Sequence, residues 1–203
     1  MRPGSLHSWH VTGEREIFKA TMLRVAYAGS RGDQLTIGVE RNPAIYSTGA
    51  TTATTNQRRP LFPNFGNITS IEPLGKSTYH SLQITLDKRL SNGLSVLSNY
   101  TLSKSMDNTS ANKQNGTTSV NPFDLSYDWG PANADRRHRW VTSVLWQIPG
   151  RYDNPIVDAV LSDWNITGIF TIMSGQPFTV TSGVDNARSG TGGQFADQAL
   201  TAA

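Results

Sequence analysis

The chain has 203 residues, of which only 16% are charged and 18 are Gly, a composition typical of β-structure joined by polar loops. The net charge of +3 is too small to indicate a nucleic-acid-binding surface, and the absence of Cys excludes disulfides, zinc–thiolate sites and a Cys nucleophile. No run of about 18 apolar residues exists, which excludes a transmembrane helix, whereas a transmembrane β-strand needs only about 10 residues with alternate ones apolar.

The first predicted strand pair lies at residues 8–29. Trp9 and Val11 alternate with polar neighbours in its first strand. The second strand places its apolar residues on one face until Gly29 interrupts the pattern; these residues are Leu23, Val25 and Tyr27. Alternation with a period of two predicts half-buried β-strands.

The second pair, at residues 79–105, has the clearest pattern in the chain. Apolar and polar side chains alternate on both sides of the tripeptide Ser91-Asn92-Gly93. An Asn-Gly dipeptide between two alternating runs favours a tight hairpin turn, because both residues tolerate a positive φ. The sequence therefore predicts a β-hairpin here.

A third pair is predicted at residues 137–174. Its first strand runs from Arg137 towards the Pro149-Gly150 dipeptide, and its second strand begins at Trp164. With the two earlier pairs, this gives about six strands arranged as three consecutive up-and-down hairpins.

The predicted connections differ strongly in length. Short or medium connections follow the first, third and fifth strands, whereas long polar segments occupy residues about 30–78, 106–136 and 175–203. The first long segment includes the low-complexity run TGATTATTNQRR at residues 48–59. Structureless loops of about 30 residues are rare in compact soluble domains, but outer-membrane barrels combine short periplasmic turns with long outer loops. Aromatic residues at both strand ends also fit a membrane-spanning sheet, and these are Tyr79, Tyr100, Trp140, Trp146 and Trp164.

Alternation divides the strand residues between two predicted faces. The residues expected to face a polar barrel lumen are Gln83, Thr85, Asp87, Asn99, Thr101, Arg137, Arg139, Ser143 and Gln147. The residues expected to face lipid or to form an aromatic girdle are Leu82, Ile84, Leu86, Leu94, Val96, Tyr100, Leu102, Trp140, Trp146, Trp164, Ile166, Phe170 and Ile172. A water-filled interior and a lipid exterior require this alternation.

The segment DRRHRW, residues 135–140, is the densest charge cluster in the chain. A nucleic-acid site would need more basic residues and stacking aromatic residues beyond this segment. Alternation instead places Arg137 and Arg139 on the polar face at the rim of a strand. Asp135 and Asp128 are the candidate ion-pair partners of these arginines.

Other motifs are weak. Leu74–Thr78, LGKST, resembles the end of a phosphate-binding loop, but Ser70 stands where the first Gly should be and a strand follows. His7 and His10 have a spacing that puts them on opposite faces of a strand. Residues 183–197 have a faint calcium-loop pattern without the terminal Glu, and no nucleophile elbow occurs. We therefore expect no enzyme activity, no cofactor and no metal.

Four longer segments occur in a fixed order: LRVAYAGSRG (23–32), YHSLQITLDKRLSNGLSVLSNYTLSKSMDN (79–108), DRRHRWVTSVLWQIPG (135–150) and WNITGIFTIMSGQPFTV (164–180). Together they resemble the β-barrel part of Oar-like TonB-dependent outer-membrane receptors. The resemblance implies a 22-stranded barrel in the outer membrane, a plug in its lumen, energy input from the TonB complex and substrate capture by the outer loops. The implied partners are outer-membrane lipid, the rest of the barrel and its plug, the TonB complex acting through that plug, and an unknown substrate, but no nucleic acid.

The predicted fold is all-β, with antiparallel up-and-down strands of a transmembrane outer-membrane β-barrel over residues 1–203. Even the smallest such barrels need eight strands, so about six strands make an incomplete barrel, and we expect a segment of a longer receptor. The alternative is a soluble secreted β-sandwich, a carbohydrate-binding module with tryptophans as sugar platforms. A sandwich would favour strands of about five or six residues at regular spacing.

Overall fold

The alternating runs fold into long antiparallel strands. The computed structural model describes residues 3–110, 119–148, 150, 153–162, 164–191 and 194–195. Its strands are β1 (Ser5–Phe18), β2 (Thr21–Glu40), β3 (Thr69–Ser91), β4 (Leu94–Asp107), β5 (Gly130–Pro131), β6 (His138–Gln147) and β7 (Asn165–Met173). A seven-residue helix, α1 (Pro155–Leu161), lies between β6 and β7, and single 3-10 turns occur at Asn56–Arg58 and Leu125–Asp128.

These strands belong to one antiparallel sheet with the order β1-β2-β3-β4-β6-β7, and β5 pairs with the C-terminal end of β4. The predicted fold, antiparallel up-and-down strands of an incomplete barrel, is confirmed. Within the described residues, the outer edges of β1 and β7 have no strand partner. No second sheet packs on the first in this part of the chain, so the β-sandwich alternative is wrong.

The connections alternate between short and long, as the sequence predicts. Lys19-Ala20 joins β1 to β2, and Asn92-Gly93 joins β3 to β4. Asn92 and Gly93 have φ values of 51° and 77°, as a tight Asn-Gly turn requires. Residues 41–68 follow β2 and residues 108–137 follow β4, both at the other end of the sheet. That end, called the outer end, also carries the segment after β7.

Two of the predicted loop boundaries are wrong. β2 continues through residues 30–40 and β3 begins at Thr69, so residues 30–40 and 69–78 form strands rather than loops. A register shift near Gln34, whose φ is 59°, interrupts the period of two. Residues 37–40 are buried on both faces, and a strand covered on both faces has no alternation to detect. Within the predicted loop 106–136, residues 130–131 form β5. Residues 111–118 of that loop lie outside the described residues, and so do residues 192–193 and 196–203 of the last predicted loop.

Deeply buried apolar side chains lie in the extension of β2 and in the long connections. They include Ile37, Val39 and Ala44, all at most 3% exposed. The sheet instead exposes large apolar side chains, such as Trp140 of β6 at 49% and Phe170 of the edge strand β7 at 65%. A contiguous apolar surface of this kind is rare on soluble monomers and indicates a membrane or a partner. None of the described helices is long and apolar enough to cross a bilayer.

The Gly93→Ala substitution is expected to lower the yield of folded protein. Gly93 has a positive φ, and an added Cβ would lie 2.4 Å from the backbone oxygen of Gln147. The matched control is Gly13→Ala, because an added Cβ at Gly13 meets nothing within 4 Å. The folded fraction after refolding into micelles is measured by heat-modifiable electrophoretic mobility. Equal folded fractions for the two variants would contradict this turn geometry.

Candidate functional site

The strand register sorts the side chains onto two common faces. Residues directly opposite each other on antiparallel strands share a face. Ile84 pairs with Tyr100, Tyr100 with Trp140, and Trp140 with Ile172, so one row of large side chains crosses four strands. This side, called the apolar face, carries the predicted residues Leu82, Ile84, Leu86, Leu94, Val96, Tyr100, Leu102, Trp140, Trp146, Ile166, Phe170 and Ile172.

The opposite side, called the polar face, carries the residues predicted to line a lumen. Arg24 forms an ion pair with Glu14 at 2.5 Å and lies opposite Thr85, whose hydroxyl donates to Asn99 Oδ1 at 2.9 Å. Arg137 stands just before β6, where its carbonyl accepts a hydrogen bond from the β4 backbone at 3.0 Å. The predicted residues on this face within the strands are Gln83, Thr85, Asp87, Asn99, Thr101, Arg139, Ser143 and Gln147.

The polar face also carries an apolar patch that sequence reasoning missed. Asp87 pairs with Leu97, Leu97 with Ser143, and Ser143 with Ile169, so two apolar side chains share a polar row. Leu97, Ile169 and Met173 are 43%, 75% and 51% exposed, and we call them the inner apolar patch. Because β7 also carries Phe170 and Ile172 on its other side, it exposes apolar side chains on both faces.

An aromatic belt crosses the outer end of the apolar face. The Tyr27 hydroxyl and His80 Nδ1 are hydrogen-bonded at 2.7 Å, and the Tyr100 hydroxyl and His138 Nδ1 at 2.8 Å. Each of these ring pairs is stacked with centroids 6.2 Å apart. Tyr79, which the sequence grouped with this belt, pairs with residues of the polar face instead. Rings with one apolar and one polar edge suit the headgroup level of a bilayer.

A second belt lies at the end with the short connections. Trp146 belongs to the apolar face, and Trp164 follows α1, where its Nε1 donates to the Val160 carbonyl at 2.6 Å. The Trp164 carbonyl continues the strand ladder by accepting from the Ile148 amide at 2.9 Å. Between the two belts lies the apolar band of this face, and β4 crosses it with residues 94–102. This length matches the about 9–11 residues that a tilted transmembrane strand needs.

Beyond the outer belt, the long connections pack together into a folded unit. We call it the outer cap and define it as residues 33–76, 108–110, 119–133, 174–191 and 194–195. The Ser119 amide donates to the Gly38 carbonyl at 3.0 Å, which ties the second long connection to the extension of β2. The Ala44 amide donates to the Ser189 carbonyl at 2.9 Å, which ties the first connection to the segment after β7.

The buried guanidinium of Arg59, 4% exposed, organises the centre of the outer cap. It donates to the Asn42 carbonyl, to Asn56 Oδ1 at 3.0 Å and to Asn67 Oδ1. The Asn67 amide in turn donates to the Gly190 carbonyl at 2.9 Å. Arg59 ends the run that reads as low complexity in the sequence, so its role depends on three-dimensional contacts that no local pattern predicts.

Asn42 is fully buried and fixes the shape of the first long connection. Its amide donates to the carbonyls of Phe62 and Gly66, both at 2.9 Å, and its Oδ1 accepts from the Phe62 amide at 3.2 Å. Its backbone amide donates to Glu40 Oε1 at 2.7 Å. One side chain therefore holds the Phe62–Gly66 turn against the end of β2.

An ion pair joins the start of this connection to β3. Arg41 Nε donates to Glu72 Oε1 at 2.6 Å, and a second guanidinium nitrogen contacts the other carboxylate oxygen. The hydrogen bonds from Arg41 hold the pKa of Glu72 below its usual range. The lowered pKa keeps the Glu72 carboxylate ionised at neutral pH, so its ion pair with Arg41 persists there.

Asp185 orders the last connection, in the segment with the faint calcium-loop pattern. Its Oδ1 accepts hydrogen bonds from the Ser189 amide at 3.1 Å and the Gln194 side chain at 2.8 Å. Its Oδ2 accepts from the Gly190 amide at 2.7 Å. Both carboxylate oxygens thus accept hydrogen bonds from N–H donors of the loop, so Asp185 stabilises the loop by itself.

A cavity of about 640 Å³ opens between the three connections of the outer cap. The stacked rings of Tyr127 and Phe195, 5.7 Å apart, form part of its wall. The lining residues are Ala44, Ile45, Tyr46, Val120, Asn121, Pro122, Phe123, Tyr127, Asn186, Ala187, Ser189, Gln194 and Phe195. None of these described residues carries a charge. The sequence did not predict this cavity, because its walls come from three connections that are far apart along the chain.

The charge cluster at residues 135–140 marks the rim of the sheet beneath the outer cap. Asp135 Oδ1 accepts a hydrogen bond from the Ser105 amide at 2.7 Å, so this carboxylate anchors the end of β4. Among the described residues, the expected ion pair of Asp135 with Arg137 or Arg139 does not form. Asp128 accepts from the Val120 amide at 3.2 Å and thereby supports the cavity wall.

Two further sequence motifs lie within strands. Leu74–Thr78 belongs to β3, so it lacks the loop followed by a helix that a phosphate-binding loop needs. In β1, His7 pairs with Arg31 and His10 with Ala28, which places the two imidazoles on opposite faces. Within the described residues, no group of three or more His, Asp or Glu side chains is arranged to hold a metal ion.

The sheet has an apolar band between two aromatic belts, a polar opposite face, and long connections at only one of its ends. Together these features define the wall of an outer-membrane β-barrel. The family described as "Outer membrane beta barrel domain" matches residues 1–202. The chain belongs to this family, and its location is the outer membrane. No curated protein and no solved structure is significantly similar to it.

The assignment of lipid to the apolar face stays a prediction, and a pair of neighbouring substitutions tests it. Trp140→Asp is expected to impair assembly, because it replaces a large apolar side chain on the lipid side of a barrel by a charged one, and charged substitutions there are destabilising. Arg139→Gln changes the other face and should leave assembly intact. Heat-modifiable mobility of the protein from isolated outer membranes measures assembly. The reverse result would mean that the polar face contacts lipid.

The Asn42→Ala substitution is expected to open the outer cap without disturbing the sheet. Removing the amide leaves buried backbone groups unpaired, which costs about 1–3 kcal/mol. Protease added to intact cells should then cut residues 61–67 several times faster than in the unchanged protein. Asn64→Ala is the control, because Asn64 is exposed in the same connection. If both variants are cut at the same rate, Asn42 does not hold this turn.

Proposed function

We propose that the chain is part of an Oar-like TonB-dependent receptor, whose outer cap binds a substrate that the complete barrel then takes up. The observation that carries the proposal is the cavity of the outer cap. It lies beyond the outer aromatic belt, on the side where outer-membrane barrels have their long loops, and solutes outside the cell reach that side first. The volume is within the range of about 300–1,000 Å³ that is usual for small-molecule sites.

The free edges of β1 and β7 support the part of the proposal that concerns a larger barrel. Each unpaired backbone N–H or C=O in the hydrocarbon region costs several kcal/mol, so open sheet edges do not persist there. We therefore propose that further strands pair with both edges and close the barrel. Outer-membrane lipid would cover the apolar face.

The inner apolar patch supports the presence of a plug. Leu97, Ile169 and Met173 would lie exposed on the face that carries the predicted lumen residues. A protein segment inside the lumen would cover this patch, whereas water would not. We propose that this segment is the plug on which the TonB complex acts.

The cavity gives no support to catalysis. Its described lining has no acidic or basic side chain, so it offers neither a general base nor a metal ligand set. We propose that the receptor works without a catalytic step, a cofactor or nucleic acid.

Uptake by cells tests the proposal. A Gram-negative host produces the complete polypeptide and is given dye-labelled neutral oligosaccharides, a labelled iron(III) chelate or labelled tetrapeptides. At least one label is expected to accumulate above the level of empty-vector cells, and a protonophore should reduce it to the surface-bound level. The double variant Tyr46→Ala/Phe123→Ala changes only the cavity lining and should lower both binding and uptake.

Three outcomes would contradict parts of the proposal. Accumulation that a protonophore does not affect would exclude energy input through TonB. Surface binding without accumulation would make the protein a binding protein rather than a transporter. Failure of every label to bind would remove the proposed binding function of the outer cap.

A further inference from the structure

The chemistry of the cavity lining restricts which ligand it can hold. Thirteen described residues line it, and all of them are apolar, aromatic, amide or hydroxyl residues. A charged ligand group placed there would find no counter-charge among the described lining residues. The lining therefore disfavours anionic and cationic ligands.

Exposed aromatic rings form much of the cavity wall. Phe123, Tyr46 and Tyr127 are 74%, 64% and 51% exposed, and the Tyr127 ring stacks on Phe195. These rings keep large faces in contact with water, so the cavity is an open cleft rather than an enclosed apolar pocket. A purely apolar ligand would remain partly wet in such a cleft and would gain little from it.

Uncharged polar groups stand between the rings. Within the described residues, the side chain of Asn186 makes no hydrogen bond, so its amide has both donors and the acceptor free for a ligand. The Asn121 Oδ1 accepts from the Phe123 amide at 3.0 Å, which leaves the Asn121 Nδ2 as a donor. Amides of this kind match ligand hydroxyl groups, which also donate and accept.

We infer that the cleft of the outer cap binds a neutral oligosaccharide. Sugar rings have apolar C–H faces that stack on Tyr and Phe rings, and their hydroxyl edges suit the amides of Asn121 and Asn186. The inference rests on the proposed binding function of the cap and names its ligand class.

Calorimetry on the complete protein in lipid nanodiscs tests the inference. The neutral probes are trisaccharides of glucose, of N-acetylglucosamine and of xylose. Trigalacturonate is the anionic saccharide control, and a tripeptide is the control for a different ligand class. At least one neutral trisaccharide is expected to bind, and trigalacturonate should bind at least tenfold more weakly.

Matched variants locate the binding. Phe123→Ala and Tyr46→Ala should each weaken binding about tenfold, as expected for truncation of an aromatic contact. Phe65→Ala should leave binding unchanged, because Phe65 is an equally exposed ring, at 62%, in the same cap but outside the cleft. Equal effects of all three variants would overturn the inference.

Three results separate this inference from the proposed function. Binding of only the tripeptide or only trigalacturonate, lost in Phe123→Ala, would overturn a neutral oligosaccharide as the ligand but would keep a ligand-binding cap. If no neutral trisaccharide binds but cells accumulate another labelled solute, the inferred ligand class is also overturned and the binding function is kept. Failure of every probe, here and in the uptake experiment, would overturn both.

Discussion

A slip of one residue between two antiparallel strands turns every side chain of one strand to the other face of the sheet. The strands of this chain keep their phase: Val25, Ile84, Tyr100, Trp140 and Ile172 lie in one row across five strands. The apolar face, the two aromatic belts and the polar face all depend on this common phase.

The wall and the outer cap are stabilised by different means. In the wall, hydrogen bonds between the strands pair the backbone N–H and C=O groups. The apolar side chains of the wall remain exposed unless an apolar solvent covers them. In the cap, Ile37 and Val39 are buried, and Arg59 and Asn42 satisfy backbone and amide groups of several segments. The cap therefore carries a protein-like interior of its own, whereas the apolar side chains of the wall remain largely exposed within the described residues.

Features that depend on neighbouring residues in the chain could be predicted from the sequence, and features that depend on distant residues could not. The β3–β4 hairpin was predictable because Asn92-Gly93 fixes the turn and alternation fixes both strands. The sorting of residues between two faces was predictable for the same reason. The extension of β2 was not, because residues 37–40 are covered on both sides and a register shift precedes them. The cleft and the inner apolar patch were also missed, since each is assembled from residues that are neighbours only after folding.

The extension of β2 and β3 is the part of the outer cap that continues the strands of the wall. The residues that line the cleft all lie outside these strands, so substitutions among them leave the strand phase of the wall unchanged. Substitutions there can therefore change the proposed binding site without changing the strands of the wall. Sequence divergence between relatives should then concentrate in the cap. Its buried hydrogen-bonding residues, such as Arg59, should stay constant, because they hold the three connections that form the cleft.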